Sequence, residues 1–325
     1  MAKIVRFYKT GGPDVLKLED IVMPAPAAGE VLVRQQAIGV NFVDITLRKG
    51  GIPAPLPSSL GSEAAGIVEA VGEGVAVFAP GDRVAYGGSP NGSYASERIV
   101  PAALLSKLPP SIDVETAAGM MSAGLTAGYL IRRIWPFLSE GDPILFHAAA
   151  GGVGQIAVQW AKAIGLKVIG TVGSEGKIAT ALGAGCDHVL VNGRDDIAAR
   201  VKELTGGAGV AVAYDSIGKD TVEGSLNALR RRGLLVIFGA ASGPAPDISP
   251  PALAMRGSLY MTRPSLFDYL ADPDERASLV AEMFDLVVTG KISISINHKY
   301  ALDDVASAHR DIEARATTGS VILIP

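Results

Sequence analysis

The sequence predicts an α/β protein in which a β-rich region is joined to a doubly wound parallel sheet of six strands. Residues 1–125 contain short alternating runs, such as "EVLVRQQAIGV" at 30–40, that Gly- and Pro-rich segments interrupt. Short strands broken this often are typical of a partly open barrel or sandwich. Residues 126–265 instead alternate apolar runs with helical stretches, and residues 266–325 form a mixed tail that can fold back onto the first region.

The apolar runs between 126 and 265 are of the buried type. They recur at intervals of roughly 20 to 25 residues, and the runs are "PILFHA", "KVIGTVG", "DHVLVN", "VAVAYDS", "GLLVIFGA" and "SLYMTRP". Such spacing with helices between the strands indicates repeated βαβ units and a parallel sheet covered on both faces. Six strands match the count of a complete dinucleotide-binding fold.

Composition excludes several classes of protein. A chain of 325 residues with 48% hydrophobic residues and a net charge of −4 can bury a sizeable core, in about two domains. Its Lys and Arg residues are scattered, so we expect neither a nucleic-acid partner nor a basic membrane-binding face. No apolar window is long enough to span a bilayer, and the first residues lack the apolar core of a signal peptide.

The chain has a single cysteine, Cys186, just before the third strand of the series. One cysteine excludes an internal disulfide and any multi-cysteine metal site. We expect Cys186 to be an ordinary buried residue, and the protein to be soluble, reduced and cytoplasmic.

A glycine cluster follows the first strand of the series. In "AAGGVG" (149–154) Ala149 stands at the first position of a G-x-G-x-x-G motif, which opens an amphipathic helical run. Gly151 and Gly152 allow the backbone to approach a pyrophosphate, whose charge is favoured at a helix N-terminus, and Gly154 allows close packing of the helix on the strand. A tight turn without a ligand is the alternative, but the six-strand context favours a dinucleotide.

The end of the second strand indicates which dinucleotide binds. NAD-preferring folds place an acidic residue about 20 residues after the motif begins, to hold the ribose 2′-hydroxyl. Here the strand ends in Gly173 and Ser174 without an acid, and Lys177 follows in the next turn. A hydroxyl, free amides and an ammonium group suit a 2′-phosphate and favour NADPH. The alternatives are a solvated Lys177 and a loop path that aims Glu175 inward.

The chain closely resembles a known family over its whole length. The most specific segment is "GDPILFHAAAGGVGQIAVQWAK", and other matching segments are "AIGVNFVD", "LGSEAAGIVEAVGEGV", "GDRVAY", "GLTAGYL", "YDSIG", "RRRGLLVIFG", "GSLYMTRPSL" and "RATTGSVILIP". These segments are similar to those of the zinc-independent quinone oxidoreductases, or ζ-crystallin type, of the medium-chain dehydrogenase/reductase superfamily. The resemblance implies a GroES-like domain from 1–125 and 266–325, a Rossmann domain from 126–265, a cleft for cofactor and substrate, and a homodimer.

The resemblance also implies roles for individual residues. Catalytic roles fall to Asn41, Asp44 and Thr126, at the nicotinamide end of the cofactor. NADPH contacts fall to a larger set, which comprises Asn41, Phe42, Thr126, Tyr129, Gly151, Gly152, Val153, Gly173, Ser174, Lys177, Asn192, Ile217, Phe238, Gly239, Ala240, Ala241, Ser242, Arg263, Pro264, Ser265 and Arg315.

Purely structural roles are alternatives for several residues of this set. They are a turn residue at Asn41, a helix N-terminal charge at Asp44, a helix cap at Thr126, helix packing at Tyr129 and ion pairs at Arg263 and Arg315. His147 is expected to be a satisfied strand-end residue rather than a catalytic acid. Some close relatives carry tyrosines in the loop after the Asn-x-x-Asp segment and at the position of Asn192, where this chain has Thr46, Ile52 and Asn192. The chain therefore departs from the family pattern for aromatic stacking on a quinone and for part of the adenine platform.

Alcohol-oxidising relatives hold a catalytic zinc ion through a cysteine and a Gly-His-Glu segment. Asn41 stands at the cysteine position and Ser62 at the histidine position, and neither competes for zinc as thiolate or imidazole does. We therefore expect no metal and an acceptor that is already electron-poor. NADPH-dependent quinone reduction is the favoured activity, reduction of α,β-unsaturated carbonyls is the alternative enzyme activity, and a crystallin-like or RNA-binding role is the alternative outside catalysis.

Overall fold

The computed structural model describes residues 1–325, which form two compact units. The first unit comprises residues 1–125 and 272–325, and the second comprises residues 126–271. The chain enters the second unit within a long helix and leaves it six residues later than the predicted boundary at 265. The reason for the later exit lies in a short helix whose Tyr269 stacks on Tyr129 of the second unit, with ring centroids 4.5 Å apart.

The chain contains sixteen strands and ten α-helices. The strands are β1 (Ala2–Phe7), β2 (Lys17–Ile21), β3 (Glu30–Val40), β4 (Ser58–Ser59), β5 (Ala64–Val71), β6 (Arg83–Tyr86), β7 (Glu97–Pro101), β8 (Ser106–Lys107), β9 (Pro143–Phe146), β10 (Lys167–Val172), β11 (His188–Val191), β12 (Val210–Asp215), β13 (Leu229–Ile237), β14 (Tyr260–Thr262), β15 (Ile296–Ala301) and β16 (Ser320–Ile324). The helices are α1 (Phe42–Arg48), α2 (Val114–Arg132), α3 (Gly152–Ala163), α4 (Ile178–Gly183), α5 (Ile197–Leu204), α6 (Val222–Ala228), α7 (Pro250–Met255), α8 (Leu266–Tyr269), α9 (Pro273–Val288) and α10 (Val305–Glu313).

The first unit is built from two sheets. A three-stranded sheet has the order β2-β1-β4, and a seven-stranded sheet has the order β15-β16-β3-β5-β6-β8, with β7 also paired to β3. The tail belongs to this unit because β16 pairs antiparallel with β3, with Ile322 opposite Gly39. Alternate residues of β3, including Val31 and Val33, are fully buried in the core, which is why this strand alternates in the sequence.

The second unit is a six-stranded parallel sheet in the order β11-β10-β9-β12-β13-β14. This is the 3-2-1-4-5-6 order of the dinucleotide-binding fold, with its switch point between β9 and β12. Ile144 of β9 pairs with Val168 of β10 on one side and with Val212 of β12 on the other. All residues of β12 are buried, as expected for a strand covered on both faces. The predicted α/β fold class is confirmed.

Cys186 precedes β11 and is buried. A Cβ atom on Gly170 would meet its Sγ atom at 2.6 Å, so glycine at 170 makes room for the thiol. Burial raises the pKa of Cys186 to about 12. The side chain is therefore a packing residue, as predicted.

None of the ten α-helices combines the length and the apolar character that crossing a membrane requires.

Candidate functional site

Asn41 lies where β3 ends and α1 begins, and it is the N-cap residue of that helix. Its backbone N–H donates to Asp44 Oδ2 at 2.9 Å, so the two residues form the N-terminal turn together. Asp44 is buried and also accepts from the backbone N–H of Gly61 at 3.1 Å and from the hydroxyl of Tyr94 at 3.0 Å. Burial raises the pKa of Asp44 to about 6, against the opposing effect of these donors.

A second carboxylate, which the sequence prediction missed, holds the side chain of Asn41. Nδ2 of Asn41 donates to Glu63 Oε1 at 2.5 Å, and Glu63 Oε2 accepts from the backbone N–H of Ser122 at 2.6 Å. Glu63 is 2% exposed, and burial raises its pKa to about 7. The signal was present in the sequence as an acidic residue at the start of an otherwise apolar strand, "SEAAGIV".

Asp44 is also the end of a buried hydrogen-bond chain through His309. Arg48 NH1 lies 3.1 Å from His309 Nδ1, and His309 Nε2 lies 3.1 Å from the Tyr94 hydroxyl. A guanidinium group has no acceptor, so Nδ1 of His309 accepts from Arg48 and Nε2 carries the ring proton. Nε2 then donates to the Tyr94 hydroxyl, which in turn donates to Asp44. Burial, followed by the charge of Arg48, lowers the pKa of His309 to about 3. The other side of Arg48 pairs with Glu313.

In the second unit the glycine cluster forms the turn from β9 into α3. Gly151 is the N-cap residue of α3, and Gly152 and Val153 form its first turn. A Cβ atom on Gly154 would meet the carbonyl oxygen of Ala148 at 2.3 Å, so only glycine allows this approach of helix to strand. The N–H groups of the first turn and the helix dipole favour a negative charge at this point.

The end of β10 has the composition that a 2′-phosphate requires. Gly173 follows the strand, with open space around its Cα atom, and Ser174 begins the short turn that contains Lys177. Glu175 is 71% exposed and pairs with Arg194 at 2.6 Å, so its charge is neutralised by a neighbour.

The ends of β12 and β13 are held together by the backbone. Asp215 accepts from the N–H groups of Ile217 and Gly218, both at 2.9 Å. A Cβ atom on Gly239 would meet the carbonyl oxygen of Ser216 at 2.4 Å, which explains glycine there. These contacts place the loops that carry the predicted residues Ile217, Phe238, Gly239, Ala240, Ala241 and Ser242 side by side at the carboxyl edge of the sheet.

A cavity of about 510 Å³ adjoins this edge. Its lining includes Gly239, Ala240, Met261 and Arg263. The Arg263 guanidinium donates to the carbonyl oxygen of Ile237 at 3.0 Å, which fixes it at the cavity wall. Arg263 therefore has a backbone partner rather than the ion pair that was the alternative.

His147, at the end of β9, joins a second buried chain. Ser225 Oγ lies 2.7 Å from Asp215 Oδ2 and 2.9 Å from His147 Nε2. Since the carboxylate only accepts, Ser225 donates to Asp215 and accepts the Nε2 proton of His147. Nδ1 then accepts from Thr171 Oγ1 at 2.9 Å, which in turn accepts from Asn192 Nδ2 at 3.1 Å. Burial lowers the pKa of His147, so the ring is neutral, as expected for a satisfied strand-end residue.

The remaining predicted residues lie at four separate points of the chain. Thr126 lies in the middle of α2 and not at a helix start, so the capping role is wrong. Tyr129 is buried under Tyr269, which agrees with packing. Pro264 and Ser265 precede α8, with Ser265 as its N-cap residue, and Arg315 lies two residues after α10 in the left-handed conformation with φ of 56°.

The residues at the zinc-ligand positions do not fit a zinc ion. Nδ2 of Asn41 is committed to Glu63, and Ser62 offers a hydroxyl where an imidazole would be needed. No group of three or more His, Cys, Asp and Glu side chains is arranged to hold a metal ion.

Comparison with known proteins agrees with this architecture. The alcohol dehydrogenase GroES-like domain family matches residues 27–110, and the zinc-binding dehydrogenase family matches residues 152–282. A quinone oxidoreductase of Salmonella typhimurium is 48% identical over 100% of both chains. The Escherichia coli quinone oxidoreductase, solved in complex with NADPH, is 45% identical with a TM-score of 0.97 over 99% of this chain and 100% of its own. A 2-haloacrylate reductase of Burkholderia is 43% identical over 100% of this chain and 99% of its own.

The GroES-like and dinucleotide-binding units, the glycine turn into α3 and the full-length relatives lead to one conclusion. The chain belongs to the quinone oxidoreductase family of the medium-chain dehydrogenase/reductase superfamily.

Proposed function

We propose that the protein is an NADPH-dependent quinone reductase that works without a metal ion. The observation that carries the choice of cofactor is the end of β10, where Gly173, Ser174 and Lys177 stand without a competing acid and Glu175 is neutralised by Arg194. A carboxylate facing this point would repel a 2′-phosphate, whereas backbone amides, a hydroxyl and an ammonium group attract it.

The second unit binds and orients the cofactor. The N-terminal turn of α3 holds the pyrophosphate, Gly173, Ser174 and Lys177 hold the 2′-phosphate, and the loops after β12 and β13 hold the remainder. When bound, NADPH supplies the hydride. The residues of this chain contribute orientation and the exclusion of water, which is the larger part of catalysis for an acceptor that is already electron-poor.

The first unit supplies Asn41 and Asp44 to the acceptor end. Phe42 and Val43 follow Asn41 directly, and Ile52 lies in the loop after α1. All three of these apolar side chains are at least 39% exposed. Exposed apolar residues next to the half-buried Asn41 and the buried Asp44 suit a flat, hydrophobic acceptor with polar oxygens, which describes a quinone. The proton that completes the reduction comes from solvent or a cofactor hydroxyl. The two buried acids beside Asn41, Asp44 and Glu63, already accept hydrogen bonds from Asn41.

Titration with both nucleotides tests the cofactor assignment. We expect NADPH to bind at least tenfold more tightly than NADH, and Lys177→Ala to weaken NADPH binding without changing NADH binding. The exposed Lys299, which pairs with Glu115, provides the control variant Lys299→Ala. Equal affinity of the wild-type protein for the two nucleotides would contradict the assignment.

Turnover with a panel of acceptors tests the activity. We expect reduction of 1,4-benzoquinone and of larger quinones, and the rate should depend on NADPH. The full-length relative named 2-haloacrylate reductase supports a second candidate, the reduction of α,β-unsaturated carbonyl or carboxyl compounds. Activity on such compounds alone would replace the first candidate by the second, and NADPH binding without any turnover would favour the crystallin-like role.

We also propose that the protein forms a homodimer through the second unit and works in the cytoplasm. β14 is an edge strand with an unpaired side, and an aromatic cluster lies beside it, with the Trp135 ring 5.0 Å from Phe137 and 5.1 Å from Tyr260. Phe137 is 69% exposed and Tyr260 52%. Exposed apolar surface at a free strand edge is typical of an interface between copies. Light scattering after chromatography should give a dimer, and Tyr260→Arg should shift it towards monomer.

A further inference from the structure

Glu63 is a buried acid that holds the proposed site residue Asn41 by its side chain. Its two carboxylate oxygens each accept one hydrogen bond, from Asn41 Nδ2 at 2.5 Å and from the backbone N–H of Ser122 at 2.6 Å. Asn41 follows β3, Glu63 precedes β5, and Ser122 lies in α2. The carboxylate therefore connects three elements of the first unit at one point.

The fold makes room for this carboxylate. A Cβ atom on Gly39 would meet Glu63 Oε1 at 2.3 Å and the carbonyl oxygen of Ala118 at 2.6 Å. Any larger residue at 39 would displace the acid or the helix. The space is occupied by an acid in an otherwise apolar environment, and its charged form carries a desolvation penalty of several kcal/mol unless hydrogen bonds offset it.

Asn41 is consequently held by two acids at once. Asp44 accepts its backbone N–H, and Glu63 accepts its side-chain amide. A carboxylate only accepts, so the amide of Asn41 must turn its nitrogen towards Glu63 and its oxygen away. One orientation of the amide is thus selected, whereas an amide exposed to water would turn freely.

We propose that Glu63 is a positioning residue that acts on hydride transfer through Asn41, by fixing the orientation of the Asn41 side-chain amide. This inference rests on the proposed role of Asn41 in the site. It gives a function to Glu63 in the Gly-Ser-Glu segment, in which Ser62 is unsuited to bind a metal ion. Glu63 itself touches neither cofactor nor acceptor in this assignment.

The substitution Glu63→Gln tests the proposal. The backbone N–H of Ser122 can only donate, so it takes the single acceptor oxygen of a glutamine, whose N–H2 then faces Asn41 and favours the reversed orientation of the Asn41 amide. We expect kcat for 1,4-benzoquinone to fall ten- to a hundredfold, about the effect of a misplaced positioning group, with NADPH affinity changed less than threefold. The control is Glu69→Gln in β5, the strand that Glu63 precedes, where an exposed acid pairs with Arg34, and it should leave turnover unchanged.

A double-mutant cycle separates action through Asn41 from a general structural effect. If Glu63 acts through Asn41, the double variant Asn41→Ala/Glu63→Gln has the kcat of Asn41→Ala alone. Additive losses, or wild-type kcat in Glu63→Gln, would overturn the inference. Unchanged kcat in Asn41→Ala would instead contradict the proposed role of Asn41, so the two failures are distinguishable.

Asn41→Asp provides a test that does not depend on the folding of Glu63 variants. Aspartate keeps the shape and the oxygen of asparagine but places a second acceptor against Glu63. We expect a loss of kcat as large as in Asn41→Ala. Full activity in Asn41→Asp would show that the contact with Glu63 is dispensable, and would overturn the inference.

Discussion

Each unit contains a buried chain of hydrogen bonds that passes through a neutral histidine and ends on an acid, and the two chains differ in charge. In the first unit the chain runs from Arg48 through His309 and Tyr94 to Asp44. In the second unit the chain of His147 runs from Asn192 to Asp215 and contains no cation. Both histidines have one proton whose position the neighbouring groups dictate.

The difference shows two ways of stabilising a buried acid. Asp215 accepts two backbone N–H groups and two hydroxyl groups, so its hydrogen bonds suffice without a counter-ion. Asp44 accepts two backbone N–H groups and one hydroxyl, and a cation lies at the far end of its chain. The first arrangement is local to strand ends, whereas the second joins the beginning of the chain to the tail, since Arg48 and His309 are 261 residues apart.

The largest effect should follow from removing the cation. Arg48 is fully buried and bonds to the carbonyl oxygen of Gly11, to His309 and to Glu313. We expect Arg48→Met to lower the free energy of unfolding by about 3–5 kcal/mol, because it leaves buried partners unpaired. Urea denaturation measures the change, and Arg34→Met, which breaks an exposed pair with Glu69, should cost no more than about 1 kcal/mol. Equal losses of unfolding free energy in the two variants would show that the hydrogen-bond chain through His309 does not stabilise the fold.

A smaller effect is expected from the pH dependence of His309. Its pKa is about 3 in the folded state and 6.5 in a free side chain, so the unfolded chain binds an extra proton between these values. The stability from burying the neutral ring is present above pH 6.5 and is lost as the pH falls towards 3. Glutamine can accept from Arg48 and donate to Tyr94 without titrating. We therefore expect wild type to lose about 1.4 kcal/mol per pH unit relative to His309→Gln below pH 6.5. A difference that does not vary between pH 7 and pH 4.5 would contradict the lowered pKa of His309 in the folded protein.

The smallest effect should come from the uncharged chain. Ser225→Ala removes the acceptor of the His147 Nε2 proton and one of the donors to Asp215. We expect a loss of about 1–2 kcal/mol in thermal or urea unfolding, since neutral groups are left unpaired. A loss larger than that of Arg48→Met would invert the comparison between the two units.

The architecture followed from the sequence because its signals are local. All six strands of the parallel sheet lie at the predicted apolar runs, and the turn into α3 lies at the glycine cluster. The prediction that all six are buried was wrong for β14, because an edge strand leaves Tyr260 and Met261 exposed. The exit from the second unit was placed six residues early because Tyr269 contacts Tyr129, a partner 140 residues away in the chain, and no local pattern reports that stack.

The candidate site was predictable only in part, for the same reason. Glycines and hydroxyls near strand ends have local spacing that can be compared with a motif. Glu63 reaches Asn41 across 22 residues and Ser122 across 59, so its role depends on strand pairing and on the position of α2. In the sequence Glu63 was only the residue after a missing metal ligand.

The burial of Cys186 has a consequence for self-inactivation. Quinones and conjugated carbonyl compounds are electrophiles that form covalent adducts with thiolates, and the thiolate is the reactive form of cysteine. The single thiol of this chain is buried against Gly170, and its pKa of about 12 leaves almost no thiolate at neutral pH. An enzyme that repeatedly handles such compounds thereby offers them no reactive thiol, and Cys186 should remain unalkylated in an excess of 1,4-benzoquinone.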